Sequence, residues 1–109
     1  MGATKTKYFT ERQNEFALLA KAFGHPARIA ILDYLSTMDT CICGDIVKEL
    51  PLAQPTVSQH LKELKNAGLI KGTIEGTAIC YCIDENALQK MNDYIAQISE
   101  RIAKRTTCC

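Results

Sequence analysis

The stretch Gln54-Pro55-Thr56-Val57-Ser58-Gln59-His60-Leu61-Lys62-Glu63-Leu64-Lys65-Asn66-Ala67-Gly68 decides how this chain folds. Pro55 suits the first turn of a helix, where its missing N–H costs nothing, and Gly68 supplies a left-handed stop. Between them Val57, Leu61 and Leu64 recur at helical spacing and form one apolar stripe. The opposite face shows Thr56, Ser58, Gln59, Lys62, Glu63 and Lys65. A hydrogen-bonding, lysine-bearing face opposite a clean core stripe is the profile of a helix that meets a partner, although a plainly solvated face has the same composition.

Upstream, Thr10 with Gln13 fits a capping box, and Phe16, Leu19, Ala20 and Phe23 then repeat at helical spacing until Gly24 offers a left-handed stop. Pro26 opens a second helix with Ile29, Leu32 and Leu35 inward and Arg28 and Asp33 outward. After a turn at Met38 to Thr40, a short third helix from about Gly44 to Leu50 would bury Ile46, Val47 and Leu50, and Pro51 forbids its continuation. The quoted stretch is the fourth helix.

Downstream, Leu69 to Ile74 and Thr77 to Ile83 have strand character, with Glu75 and Gly76 as a tight hairpin turn. Ile79, Tyr81 and Ile83 share one face of the second strand, which leaves Cys80 and Cys82 on the other. Asp84 is placed to cap a last helix whose Leu88, Met91, Ile95, Ile98 and Ile102 advance by three and four alternately. Such a seam suits a helix–helix interface, and with Phe16 these residues are the candidate dimer contacts.

A length of 109 residues predicts one small domain, 1–109, with flexible tails at 1–8 and 104–109. The net charge of +1 says little, but lysines gather at Lys62, Lys65 and Lys71, and the last helix ends in Arg101, Lys104 and Arg105. No apolar run reaches membrane-spanning length and Met1 to Phe9 lacks the features of a leader, so a cytoplasmic protein without a membrane partner is expected. In that reducing compartment six cysteines point to metal binding or redox sensing rather than a disulfide framework. They fall in close pairs, Cys41 with Cys43, Cys80 with Cys82, and Cys108 with Cys109, and none makes a Cys-x-x-Cys redox motif. Without that motif, a Ser-His-Asp pattern or a phosphate loop, no enzyme is expected, and no obligatory cofactor.

The stretch Phe23-Gly24-His25-Pro26-Ala27-Arg28-Ile29-Ala30-Ile31-Leu32 resembles the second-helix signature of the ArsR/SmtB family of metal-sensing repressors. Gln54 to Leu64, running into Ala67-Gly68-Leu69-Ile70, resembles that family's recognition helix and its exit into the wing, so the likeness covers roughly Phe16 to Ile83. The resemblance implies a mainly α fold with a β-hairpin wing, a winged helix-turn-helix. It also implies a homodimer formed through the terminal helices that represses transcription from a two-fold-symmetric operator in double-stranded DNA. The recognition helix would enter the major groove and the hairpin would lie against the flanking backbone. The DNA-contacting set is then Gln54, Thr56, Val57, Ser58, Gln59 and His60, with Lys62 and Lys71 supplying charge for the phosphates. His60 reads as a DNA contact or helix-surface residue and His25 as an inter-helix hydrogen-bonding residue. The last helix holds no histidine, unlike the zinc-sensing members that bind there.

The arsenic-responsive branch carries a Cys-x-Cys motif at the start of the third helix, and Cys41-Ile42-Cys43-Gly44-Asp45-Ile46 resembles it, with Val47 where that branch has a third cysteine. A helix N-terminus stabilises thiolates, and thiolates select soft ligands, so arsenite or antimonite is the expected inducer, with Cys41 and Cys43 as ligands. Cys108 or Cys109 could give a third thiol from the same or the partner subunit. On one strand face, Cys80 and Cys82 could share a soft ion, form a disulfide, or fill half-buried positions as inert apolar groups. Two other inputs suit the same scaffold: oxidation or persulfidation of the thiols, and a soft divalent metal, zinc or cadmium, held by cysteine with Asp45 or histidine.

Overall fold

A computed structural model describes residues 8–38, 41–43, 50–75 and 78–105. In chain order these form α1 (Glu11–Phe23), α2 (Pro26–Ser36), β1 (Ile42–Cys43), α3 (Gln54–Ala67), β2 (Ile70–Glu75), β3 (Ala78–Ile83) and α4 (Glu85–Ala103). The quoted stretch is therefore α3. The expected third helix at 44–50, the hairpin turn at Gly76, and most of both tails lie outside the described residues, and so do Cys108 and Cys109.

Helices α1, α2 and α4 begin where a side chain accepts from their first-turn N–H groups. Thr10 and Gln13 close the anticipated capping box on α1, at 3.0 Å in each direction. Asp84 accepts from the backbone of Asn86 and Ala87 at the head of α4. At α2 the cap is His25, whose Nδ1 accepts from the Ala27 N–H at 3.1 Å. Gly68 ends α3 in the left-handed region, with φ of 89°. Gly24 does not do so for α1: its φ is −77°, and the chain leaves that helix through an ordinary bend.

The core gathers Leu19 and Ala22 of α1, Ile31, Leu32 and Leu35 of α2, Val57, Leu61 and Leu64 of α3, Leu69 and Ile70 at the start of the hairpin, and Met91 of α4. Ile29, expected inward, is exposed, because the buried arc of α2 runs through Ile31, Leu32 and Leu35 instead. Helices α1 to α3 followed by the hairpin β2–β3 and α4 make a winged helix-turn-helix, mainly α with a β-hairpin wing.

The sheet has one strand more than anticipated. Its order is β1-β3-β2, all antiparallel, with Ile42 opposite Tyr81 and Cys43 opposite Cys80. Cys43 thus belongs to an edge strand paired with β3, and Cys41 directly precedes that strand. In the hairpin Ile70 faces Ile83 and Thr73 faces Cys80, and the Asp84 N–H closes its base on the Leu69 carbonyl at 2.8 Å.

The seam of α4 is split between the chain's own core and solvent. Met91 is buried and Leu88 half-buried within the protomer, and Phe16 stacks on Tyr94 with centroids 4.7 Å apart. Ile95, Ile98 and Ile102 remain 51%, 42% and 54% exposed. The apolar surface that α4 leaves open is thus its C-terminal half.

Candidate nucleic-acid interface and thiol site

Helix α3 presents Gln54, Thr56, Ser58, Gln59 and Lys62 to solvent, and Lys71 projects from the adjoining strand β2. At the positive end of this helix Ala53 provides no side-chain cap and the first turn contains no acid. An uncapped N-terminus with hydroxyl and amide side chains around it suits phosphate and base edges. Gln59 is partly engaged, its Nε2 donating to Glu63 Oε2 at 3.1 Å. The side chain of Lys65 lies across β2 where Gly72 has no Cβ, and a methyl group there would come within 3.4 Å of it.

Two residues expected on the DNA-facing surface are instead buried. Val57 is fully buried as part of the core stripe, and His60 is only 8% exposed. His60 lies one turn after Val57 and next to Leu61, on the arc that packs against α2. Its Nδ1 accepts from Arg28 Nε at 3.2 Å, and Arg28 also donates to the Ala22 carbonyl at 3.4 Å. Arg28, expected outward, is therefore half-buried and spent on holding three helices together. The His25 ring lies 4.4 Å away by centroid, so His25 meets α3 through a ring contact. Its Nδ1 hydrogen bond is the local cap on Ala27, and the inter-helix hydrogen bond is that of Arg28 to His60. Burial, and then the positive charge of His25 and Arg28, push the His60 pKa below its ordinary 6.5, with Glu63 acting the other way.

Cys41 and Cys82 are joined by a disulfide across β1 and β3, with Cα atoms 4.6 Å apart. That separation matches a directly opposed, non-hydrogen-bonded antiparallel pair, for which about 4.5 Å is usual. A disulfide departs from the reduced cysteines expected of a reducing compartment, and it links two of the close pairs rather than closing one. Cys82 is therefore not inert, and its disulfide partner is Cys41 rather than the expected Cys80. Cys80 is also disulfide-bonded and is 1% exposed, and it stands opposite Cys43 in the register. Among the described residues no group of three or more His, Cys, Asp or Glu is gathered in metal-ligating geometry, and no helix is long and apolar enough to cross a membrane.

The family description "Bacterial regulatory protein, arsR family" matches residues 25–71, from the head of α2 through the recognition helix to Lys71. An HTH-type transcriptional regulator of Methanocaldococcus jannaschii is 39% identical over 82 residues, which cover 74% of this chain and 91% of that one. The chain belongs to the ArsR family. Other relatives differ in what their names state. The arsenical resistance operon repressor of Staphylococcus xylosus is 31% identical over 78 residues, covering 72% of this chain and 74% of its own. The transcriptional repressor SmtB of Mycobacterium tuberculosis is 39% identical over 70 residues, which cover 64% of this chain but only 51% of SmtB. A solution structure of the homodimeric winged helix-turn-helix DNA-binding domain of a possible ArsR-family regulator from Mycobacterium bovis superposes with TM-score 0.63. It is 23% identical, covers 93% of this chain and 97% of that one, and supports the fold.

As an ArsR/SmtB-family protein the chain is a DNA-binding transcriptional repressor and not an enzyme. Within that frame sequence reasoning missed Arg28, β1 and the pairing of Cys41 with Cys82. The buried position of His60 was legible, because 57, 60, 61 and 64 are one helical stripe. The bond between Cys41 and Cys82 had no local signal.

Proposed function

We propose that this ArsR-family repressor acts as a homodimer on two-fold operator DNA, with α3 in the major groove and the wing over the flanking backbone, and that a thiol-seeking inducer, arsenite or antimonite, releases it. The exposed polar face of α3 and its uncapped N-terminus support the docking, and Ile95, Ile98 and Ile102 support self-association. The observation that carries the thiol input is the meeting of Cys41 with Cys82 between β1 and β3. β3 is a strand of the wing, so chemistry at these sulfurs acts directly on the DNA-reading head. A coupling of about 1 to 3 kcal/mol, usual between allosteric sites, weakens operator binding about 5- to 150-fold. The relative from Staphylococcus xylosus, named for arsenical resistance, is in keeping with this inducer.

The disulfide favours a second reading in which oxidation itself is the signal. Release would then need an oxidant and reverse with reductant. Operator binding at fixed salt by the reduced protein separates the two, with arsenite, zinc, cadmium or polysulfide added in turn to wild type and to Cys41→Ser with Cys43→Ser. Arsenite should release the wild type and leave the variant bound. An unchanged operator affinity with the thiols occupied would overturn the thiol input altogether.

A further inference from the structure

Four of the six cysteines fall at or beside two adjacent antiparallel strands. Cys41 is bonded to Cys82, and beyond Ile42 and Tyr81 the ladder sets Cys43 opposite Cys80. Positions two apart on a strand share a face. Both cross-strand pairs therefore occupy one face of the sheet, opposite the face to which Ile42, Tyr81 and Ile83 belong as they pack on the core. Along that face exposure rises from Cys80, which is closed off, through the half-buried Cys82 to the solvent-exposed Cys41.

We propose that this seam is itself the inducer site: as thiolates, Cys41 and Cys43 from one side and Cys80 and Cys82 from the other hold a single soft, thiophilic ion between β1 and β3. The proposal rests on the thiol-inducer reading above and relocates its ligands from the Cys-x-Cys segment with the C-terminal cysteines to the Cys-x-Cys segment with the wing. Thiolate sulfur selects soft ions over hard ones. Tetrahedral ligation at a metal–sulfur distance of about 2.3 Å places neighbouring sulfurs about 3.8 Å apart. Directly opposed residues, with Cβ atoms about 4.5 to 5.5 Å apart, supply two such sulfurs without backbone movement. The second pair lies about 7 Å further along the strands, and turning the side chains of both pairs toward their midpoint closes that gap.

The chemistry balances. A small thiol of the glutathione class reduces both the Cys41–Cys82 bond and the disulfide at Cys80 by exchange, each protein disulfide giving two thiols and one small-molecule disulfide. Arsenite, As(OH)3, then exchanges its three hydroxyls for three cysteine sulfurs with release of three waters. A divalent soft ion instead displaces four protons from four thiols. In either case neither side offers more than two sulfurs, so the ion bridges the Cys41–Cys43 segment and β3, and binding resets how the wing stands on the strand behind it.

The test uses the full-length reduced protein with two readouts, ultraviolet thiolate-to-ion charge-transfer absorbance and operator anisotropy, in separate titrations with arsenite, cadmium and zinc. Cys41→Ser and Cys82→Ser should each weaken ion binding by at least about 10-fold, since even groups that only orient a ligand matter on that scale. Cys108→Ser with Cys109→Ser should change neither readout. Circular dichroism checks folding, and Cys82 is the decisive position because, unlike Cys80, it is not sealed in the interior. If Cys82→Ser folds and binds each ion as the wild type does, the strand site is refuted, while operator release by the ion would still sustain the thiol-inducer reading. If the charge-transfer band depends on Cys82 but no ion moves the operator, the site stands and that reading falls. A response to arsenite alone identifies a metalloid site and a response to cadmium and zinc a tetrathiolate metal site; either supports the seam.

Discussion

Arg28, in the first turn of α2, donates through Nε to Nδ1 of the buried His60 at 3.2 Å, so the recognition helix is fastened from behind by a side chain that never reaches its outer face. The bond needs His60 neutral, because a protonated imidazole has no acceptor to offer. His60 is held below its ordinary 6.5 by burial first and by its cationic neighbours second. A depressed histidine takes up protons more readily in the unfolded chain. Its contribution to stability is therefore complete above 6.5 and is lost as pH falls through the lower folded value. Urea midpoints should drop between about pH 7.5 and pH 5, and His60→Asn, which keeps an acceptor but cannot titrate, should flatten that slope. An unchanged slope in the variant would assign the pH dependence elsewhere. His60→Ala should cost about 1 to 3 kcal/mol at neutral pH by stranding Arg28.

The same helix separates an exposed polar face, proposed to read DNA, from residues that hold the fold. Val57 is fully buried, and Val57→Ala should lower stability by roughly 2 kcal/mol for the lost methyl groups and the cavity they leave. Where the variant is folded, its operator affinity and sequence preference should match wild type. Lys62→Ala should leave stability alone, weaken binding to all sequences alike, and reduce the slope of log K against log salt by about 1. Denaturant melts set against salt-dependent anisotropy distinguish the two, and a Val57→Ala protein with relaxed sequence preference would put that side chain at the DNA.

How much of this was legible follows from where each signal lies along the chain. The α3 stripe, its Gly68 stop and the capping box at Thr10 are written within one or two helical turns, and all three are present in the structure. The strand Ile42–Cys43 is two residues long, too short for alternation to register, and its cysteines sit in a motif that resembles a helix start. Its existence depends on pairing with β3, far downstream, and nothing local encodes that register. His60 was misplaced for a different reason. Its chemistry suits a base edge, and residue type outweighed its helical phase, which already put it beside Val57, Leu61 and Leu64 on the buried arc.

The open half of the α4 seam predicts the consequence of losing self-association. Ile98 is 42% exposed between Ile95 and Ile102, so Ile98→Asp should fold normally and sediment as a monomer. Operator binding should then weaken by about 100-fold or more, the advantage of two half-sites engaged together. Half-site binding should be nearly unaffected. A variant that still sediments as a dimer would move the interface away from these isoleucines.

The Cys41–Cys82 bond closes a loop spanning 41 positions, and that loop contains the whole of α3 and β2 and nearly all of β3. Oxidation thus ties the reading head at its base. In the chain-entropy account, closing a loop of that length in an otherwise uncrosslinked chain stabilises the fold by roughly 4 kcal/mol through the unfolded state, an upper bound where the disulfide at Cys80 is also intact. Cys41 is exposed, so Cys41→Ser removes the link without opening a cavity, and the lost stability measures the loop itself. Oxidised wild type should therefore be more stable in urea than oxidised Cys41→Ser, and once both are fully reduced their midpoints should coincide. A deficit in Cys41→Ser that persists after reduction would mean that the side chain stabilises the fold by local packing, and the covalent loop would lose its role in steadying α3.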